Sequence, residues 1–408
     1  MSDLPRETVE ILEGLRSFLH TEVVARHERH ADLLDDPRRR YRPDGRYVEE
    51  VEALQREVRT AAAQAGYYHM VVPAELGGGG EGAVTMYAAW ELIHHVCGAR
   101  HWLSHEALAH WATGPSFVFA SASETAREKV LPQLLSGDKT MCFMMSEPGA
   151  GSDVWTMTTR AEEQPGGGWL VSGTKQWISN GPHADFALVF AVTDPEAART
   201  HQGGITAFLV PTDAPGFRLD SVITLYGHIG GNHGILSLDR VAVDESQVVG
   251  ELGQGLRLGL GGIAQGRLFN AGKAVGLARW ALEQAVEYAK ERTTFGTKLI
   301  DNQGISFPLA ECATQIYAAH RMGLHAAALV DAGRPALKEV AMAKMFSVEM
   351  GTRVIDRAMQ TFGGMGITSE MGFADAWQAL RTVQIADGSS EILRRLVAGR
   401  LVKGDLDL

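Results

Sequence analysis

The stretch QIADGSSEILRR, residues 384–395, places an acid, Asp387, beside the flexible Gly388 and ahead of two hydroxyls, Ser389 and Ser390, where a turn leads into a helix. A carboxylate in that place can do one of two jobs. As a helix cap it accepts hydrogen bonds from N–H groups left unpaired in the first turn. As a general base it removes a proton from a carbon acid. Two further segments bear on the choice. MMSEPGAGSDVW, residues 144–155, combines the hydroxyls of Ser146 and Ser152 with the small-residue turn Gly149-Ala150-Gly151, so that backbone N–H groups can approach a ligand closely. GTKQWISNG, residues 173–181, sets the flat Trp177 close to the hydroxyl of Ser179, a pairing suited to a planar heteroaromatic ring.

Other chemistry is excluded or weakly signalled. His101, His105 and His110 in HWLSHEALAH suggest a metal, but HEALAH has one residue too many for the HExxH zinc motif, and the spacing predicts partly buried helix histidines. Gly77–Gly80 follow no strand and precede no GK(S/T), so they do not read as a phosphate loop. Arg38, Arg39, Arg40, Arg42 and Arg46 lie in a turn-rich segment that reads as a solvated loop, although a phosphate-bearing ligand could use it. The net charge of −11 argues against nucleic acid, whose phosphates need a basic surface. Three dispersed cysteines, Cys97, Cys142 and Cys312, make no CxxC pair, which fits a reducing compartment. The N-terminus has no apolar signal region and no run reaches the roughly 18 apolar residues of a membrane span, so a cytoplasmic protein is expected.

The elements that must position these segments are legible from periodicity. With 408 residues, 45% of them apolar and 21% charged, the chain can bury a large core. Val9, Leu12, Leu15, Leu19 and Val23 recur at helical spacing, as do Val48, Val51, Leu54, Val58 and Ala62 before Gly66. Between about Met141 and Val249 the texture changes to short apolar runs, WLVS, FALVFAVT, ITAFLVP and ILSLDRVAV, which predict strands. Helical patterns then return over 256–292, 303–331 and 337–362. The expected organisation is mainly α with a middle β domain: an N-terminal helical domain over 1–139, the β domain over 140–252 and a C-terminal helical bundle over 253–408.

Together these segments resemble the acyl-CoA dehydrogenase family. Phe143 through Asp153 meet its flavin-binding pattern, an aromatic, two residues, then Ser or Thr and EPxAGSD. Trp177-Ile178-Ser179-Asn180 meet its aromatic-I-hydroxyl-N signature. Arg292 to Gly296 with Gln303 are similar to its RxxFG…Q element, and Gln360, Gly363, Gly364 and Gly366 to its QxxGGxG element. The resemblance implies a helical domain, a β-sandwich or barrel-like middle domain and a C-terminal four-helix bundle. It also implies FAD, with Phe143, Met145, Ser146, Gly151, Ser152, Trp177, Ile178 and Ser179 around the flavin, and Ser389 and Glu391 as further contacts. Arg292, Thr294, Phe295, Gln303, Gln360, Gly363 and Gly364 would reach the FAD of a neighbouring subunit, which implies a homodimer or homotetramer.

In this family the catalytic base is usually a glutamate just before the last helix, and here Ala386-Asp387-Gly388-Ser389 stands in its place. The alternative family slot, immediately before Arg267, is Gly266. The resemblance therefore assigns Asp387 as the base that takes the Cα proton of an acyl-CoA or acyl-carrier-protein thioester while a hydride leaves Cβ for flavin N5. Ser152, Arg267, Asp387 and Gly388 are the implied substrate contacts, and the backbone N–H at 387 would polarise the thioester carbonyl. An electron-transferring flavoprotein is the implied acceptor. Family members ten and eleven are similar in carrying an ADG segment here with IAQGRL-like residues upstream, as at Ile263–Leu268. Nitroalkane oxidases also use an aspartate at this position. A same-fold oxidase or monooxygenase, and a flavin-binding scaffold without turnover, are the alternatives.

Overall fold

Apolar spacing and local stop signals account for most of the helices. The computed structural model describes residues 4–407. In chain order the principal helices are α1 (Arg6–Phe18), α2 (Glu49–Gln64), α3 (Ala83–Cys97), α4 (Glu124–Leu135), α5 (Gly255–Glu291), α6 (Gln303–Asp331), α7 (Leu337–Phe362), α8 (Phe373–Val383) and α9 (Ser390–Val402). Glu49, Glu50 and Glu52 place negative charge in the first turn of α2, where the helix dipole favours it, and Val51, Leu54, Val58 and Ala62 form its buried stripe. Helix α3 stops at Gly98, whose φ is +57°, and its first N–H groups are capped from a distance: the Asp331 carboxylate accepts from Ala83 N (2.6 Å) and Val84 N (2.9 Å). The apolar repeat that begins in α1 continues past it as a π-helical stretch, Leu19–Val24, which keeps both Leu19 and Val23 fully buried.

The strands are β1 (Met141–Met144), β2 (Arg160–Glu163), β3 (Trp169–Ser179), β4 (Phe186–Val192), β5 (Ile205–Pro211), β6 (Phe217–Ile223), β7 (His233–Val243) and β8 (Val248–Val249). They form one sheet in the order β6-β7-β3-β2-β4-β5-β8, with β1 paired to β4. The pairs β1–β4 and β2–β4 are parallel, and the remainder are antiparallel. Ala187 to Ala191 are all buried, so β4 is covered on both faces, as its unbroken apolar run requires. The run WLVS marks only the start of β3, which continues to Ser179 and so carries the Trp177 segment on the sheet itself.

The chain forms two compact units. One comprises the residues up to Arg26, Glu81–His105 and Ile263 onward; the other comprises His27–Gly80 and Glu106–Gly262. In the first, Ala274, Leu277, Ala281 and Ala285 of α5 share a core with Leu309 of α6, Val348, Ile355 and Ala358 of α7, and Phe373 and Leu380 of α8. Helix α3 lies almost in backbone contact with α5. A Cβ at Gly276 would come within 2.3 Å of Glu91 O, and one at Gly272 within 2.7 Å of Tyr87 O, so only glycine permits this approach. In the second unit, Cys142, Val171, Ile178, Val189, Phe208 and Leu236 belong to the sheet's core. Among the described residues no helix is long and apolar enough to cross a membrane.

The basic segment and the histidine stretch are both local structure. Arg38 pairs with Asp36, Arg39 with Asp32, Arg42 with Glu52 and Arg46 with Asp44, so charge on this segment is largely answered within it. The expectation of partly buried helix histidines needs correction. Over 99–110 the chain forms only a 3₁₀ stretch, Trp102–Glu106: His101 and His110 are partly buried as expected but lie on no α-helix, and His105 is exposed.

Candidate active site

The segment after β1 is a loop tied down from within. Glu147 is buried, and its carboxylate accepts from Lys175 Nζ (2.9 Å), Thr158 N (2.6 Å), Thr158 Oγ1 (2.8 Å) and Thr159 N (2.9 Å). Lys175, fully buried on β3, also donates to Met145 O (3.0 Å), and Gln176 N donates to Ser146 O (2.9 Å). Burial pushes the Glu147 carboxyl up, but the charge of Lys175 and the hydrogen bonds from Thr158 and Thr159 outweigh it and hold the group at about 2. Anchored this way, the loop leaves Gly151 and Ser152 exposed, with nothing within 4 Å of where a Cβ on Gly149 or Gly151 would stand.

Joined to it through Gln176, β3 presents Trp177 and Ser179 outward around the buried Ile178. Trp177 is 53% exposed and sits at φ +64°, a left-handed conformation rare for a bulky side chain, where the β3–β7 register shifts. Asn180, at φ +60°, holds the end of this segment by donating to Thr140 Oγ1 and Met141 O, each at 3.0 Å. Not every predicted residue offers its side chain here. Phe143, half-buried, packs edge-on against Trp111 and Phe190, with ring centroids 4.7 and 4.8 Å away; Met145 and Ile178 are buried, so only the backbone of those two can serve a ligand.

The acid turn lies between α8 and α9. Asp387 is at φ +54° and Gly388 at φ +89°. The cap of α9 is Ser389, whose Oγ accepts from Ile392 N at 3.4 Å, so Asp387 is not spent on capping. Its Oδ2 accepts from Asn270 Nδ2 at 2.7 Å, and only the amide NH2 can face a carboxylate, which sets the orientation of Asn270. Two cations hold the backbone around it. Arg267 Nε donates to Asp387 O (3.0 Å), while Lys344 Nζ donates to Ala386 O and Gly388 O (2.9 Å each). Lys344 is fully buried; desolvation lowers it to about 8 against the opposing pull of Asp387. Among the described residues no cation pairs with the Asp387 carboxylate, and its backbone N–H makes no hydrogen bond.

Comparison with known proteins matches all three parts of the chain. Residues 5–138 match the N-terminal, 142–241 the middle and 253–402 the C-terminal domain of acyl-CoA dehydrogenase. The chain belongs to the acyl-CoA dehydrogenase family. It is 35% identical over 83% of its length, and 80% of the relative's, to the mitochondrial short-chain specific acyl-CoA dehydrogenase of Homo sapiens. The crystal structure of an acyl-CoA dehydrogenase from Geobacillus kaustophilus covers 98% of this chain and 99% of its own at a TM-score of 0.84 and 27% identity. A glutaryl-CoA dehydrogenase from Mycobacterium smegmatis in complex with FADH2 covers 98% and 95% at a TM-score of 0.81 and 26% identity.

This acyl-CoA dehydrogenase relative is thus an oxidoreductase that uses FAD. Its own residues fit that cofactor: an exposed indole face, open backbone at Gly149 and Gly151, and outward hydroxyls at Ser152 and Ser179. The remaining predicted cofactor residues lie in the other unit. Arg292 opens a hairpin whose strands, Thr293–Thr294 and Thr297–Lys298, are joined by Phe295 at φ +48° and Gly296 at φ +80°. Both positive φ values identify the tight primed turn, and Phe295 at its tip is fully exposed. Tyr288 stacks on Phe362 at 4.2 Å, which brings the ends of α5 and α7, and with them Arg292, Gln360, Gly363 and Gly364, to one end of this unit. Gln303 opens α6 and is exposed. Glu391 is exposed in the first turn of α9.

Sequence reasoning missed Glu147, Lys175, Asn270 and Lys344. A signal existed for each pair. Asn270 follows Arg267 at one helical turn, and Lys175 and Glu147 are charges inside otherwise small and apolar motifs. Lys344 interrupts VAMAKMFSV on a face that is otherwise core.

Proposed function

We propose that this chain catalyses α,β-dehydrogenation of an acyl thioester, with Asp387 as the base. The observation that carries the reading is that two cations beside Asp387 bind backbone carbonyls and leave its carboxylate with the single amide of Asn270. A carboxylate closed into an ion pair resists protonation; one held by an amide is oriented and can still accept a proton. The unused N–H of Asp387 is available to the thioester carbonyl, where negative charge develops as the Cα proton leaves. FAD, when bound, supplies the two-electron acceptor for the hydrogen lost from Cβ. Trp177 and Ser179 orient it from the sheet, and the loop 145–152 contacts it through backbone and hydroxyl groups. Arg292, Thr294, Phe295, Gln303 and the 360–364 segment serve the FAD of a neighbouring copy, which makes the active species a dimer or tetramer, and an electron-transferring flavoprotein reoxidises it. Domain boundaries at 139/140 and 252/253 complete this reading.

The test is anaerobic mixing of the purified holoenzyme with saturated acyl-CoA thioesters, followed by oxygen. Asp387→Asn should keep fold and flavin and slow flavin bleaching by roughly 10²–10⁴-fold, the range for loss of a general base. Bleaching at the wild-type rate would remove Asp387 from the mechanism. Rapid reoxidation by oxygen alone would favour the oxidase reading over a dehydrogenase.

A further inference from the structure

One turn along α5 from Asn270 lies a cation with no anionic partner among the described residues. Lys273 is partly buried, and among the described residues its ammonium makes no ion pair and no hydrogen bond. Its neighbours are aromatic and imidazole groups. The Nζ stands 5.9 Å from the centroid of the Phe269 ring, and Trp90 of α3 meets Phe269 edge-on at 4.4 Å. His94, fully buried on α3, lies 6.4 Å from the same ring. Its Nδ1 is 2.9 Å from Trp90 O, and a carbonyl only accepts, so Nδ1 carries the proton and Nε2 is the acceptor. His105 Nε2, 3.2 Å from His94 Nε2, must therefore be the donor of that contact. Burial, then His105 and Lys273, keep His94 neutral, so it offers Lys273 no countercharge. Burial also pulls Lys273 down to about 8, which leaves it charged at neutral pH.

A cation partly withdrawn from water without an anion carries a desolvation cost that packing on an aromatic face does not fully offset. A hydrophobic residue would pack against Phe269 and Trp90 without it. Its place on the helix suggests what compensates. Asn270 and Lys273 share a face of α5 about 5 Å apart along the axis, and Asn270 holds the Asp387 carboxylate. The thiol carrier of a thioester is bulky and hydrophilic and belongs in solvent, whereas Lys273 stands among Phe269, Trp90 and His94 one turn from the residue that holds the acid.

Resting on the dehydrogenase reading above, we propose that Lys273 is a specificity-determining residue and that the substrate is a short acyl thioester bearing a carboxylate at the far end of its chain. The ammonium pairs with that distal carboxylate a few bonds from the carbon that loses its proton, and Phe269 and Trp90 flank the intervening methylenes. A plain alkyl chain would leave the ammonium unpaired and strip it of remaining water.

The experiment uses holoenzyme, anaerobically, with CoA thioesters matched in length, four to six carbons, with and without a terminal carboxylate. Wild type should show a kcat/KM at least about 10-fold higher for the carboxylated member. In Lys273→Met that ratio should fall roughly 10- to 100-fold, mainly through KM of the carboxylated substrate, and Lys273→Arg should restore part of it. Lys273→Met should also melt at a higher temperature than wild type, because it removes a partly desolvated, unpaired charge. Lys273→Gln, nearer in polarity, replaces it if the methionine variant does not fold. Equilibrium binding of the same thioesters, read from the flavin spectrum of Asp387→Asn, reports the preference without turnover. If no thioester bleaches the flavin, the dehydrogenase reading fails, while the binding preference still decides the role of Lys273. Equal use and equal binding of both series, or a preference that survives in Lys273→Met, would overturn the inference.

Discussion

The flavin-side loop and the acid turn are held by the same device used to opposite ends. In each, a fully buried lysine reaches from a regular element to backbone carbonyls of an irregular segment: Lys175 from β3 to Met145 O, and Lys344 from α7 to Ala386 O and Gly388 O. Lys175 also closes on a carboxylate, Glu147, whose remaining lone pairs are filled by Thr158 and Thr159. The Glu147 carboxylate there is fully answered by one cation and three further donors, and the result is a fixed scaffold. Lys344 takes carbonyls only, and the nearby carboxylate of Asp387 keeps a single amide partner. A buried cation thus stabilises a loop in both places, but only where it avoids the carboxylate does it leave a group able to accept a proton.

Breaking each lysine tests this contrast. The largest effect should come from Lys175→Met, which strands Glu147 as a buried unpaired charge and should cost about 3–5 kcal/mol in denaturant unfolding. Adding Glu147→Gln should recover part of that loss; if the double variant is no better than the single one, the pair is not the anchor. Acid should act on the same pair. Because Glu147 is held at about 2, below its ordinary 4.5, its contribution is present above about pH 4.5 and is lost as pH falls toward 2. That contribution is on the order of 3 kcal/mol, and urea midpoints measured across this range should slope in wild type and flatten in Glu147→Gln.

Lys344→Met should show the complementary behaviour. It removes a desolvated cation together with its two hydrogen bonds, so stability should change little, yet loosening the turn by about 1 Å should slow flavin bleaching roughly 100-fold. Bleaching at the wild-type rate would show that the turn needs no such support. The smallest loss of stability is expected for Ser389→Ala, about 1 kcal/mol for a lost N-cap. A large loss of turnover there would mean that capping and catalysis cannot be separated in this turn.

Much of this arrangement was legible in the linear pattern. The helical periods over 256–292, 303–331 and 337–362 differ from the observed helices by at most one residue at either end, because long amphipathic or apolar segments bounded by Gly, Pro or Asn have few alternative solutions. The strand core was equally clear, but β3 runs beyond WLVS because its second half alternates a lysine, an exposed indole and a hydroxyl, which does not look like a strand until Lys175 finds Glu147. The histidine stretch misled because its spacing mimics a helix face, whereas Gly98 has already ended α3. Asp tolerates a positive φ better than most residues, and Asp387 takes one; the bulky Trp177 and Phe295 do so as well.

By itself the sequence determined the order of helices and strands, the flavin-type motifs and an acid ahead of the last helix, since periodicity, turn chemistry and motif spacing are local properties of the chain. What only the tertiary structure decided is which polar groups meet across long separations. Asn270 and Lys344 reach the acid turn from helices 117 and 44 residues away from the groups they bind, Oδ2 of Asp387 and Gly388 O. The physical reason is that a buried donor must find an acceptor, and which one it finds depends on packing, here on glycines that let α3 and α5 close to backbone contact and on an alanine seam that brings α7 against α5.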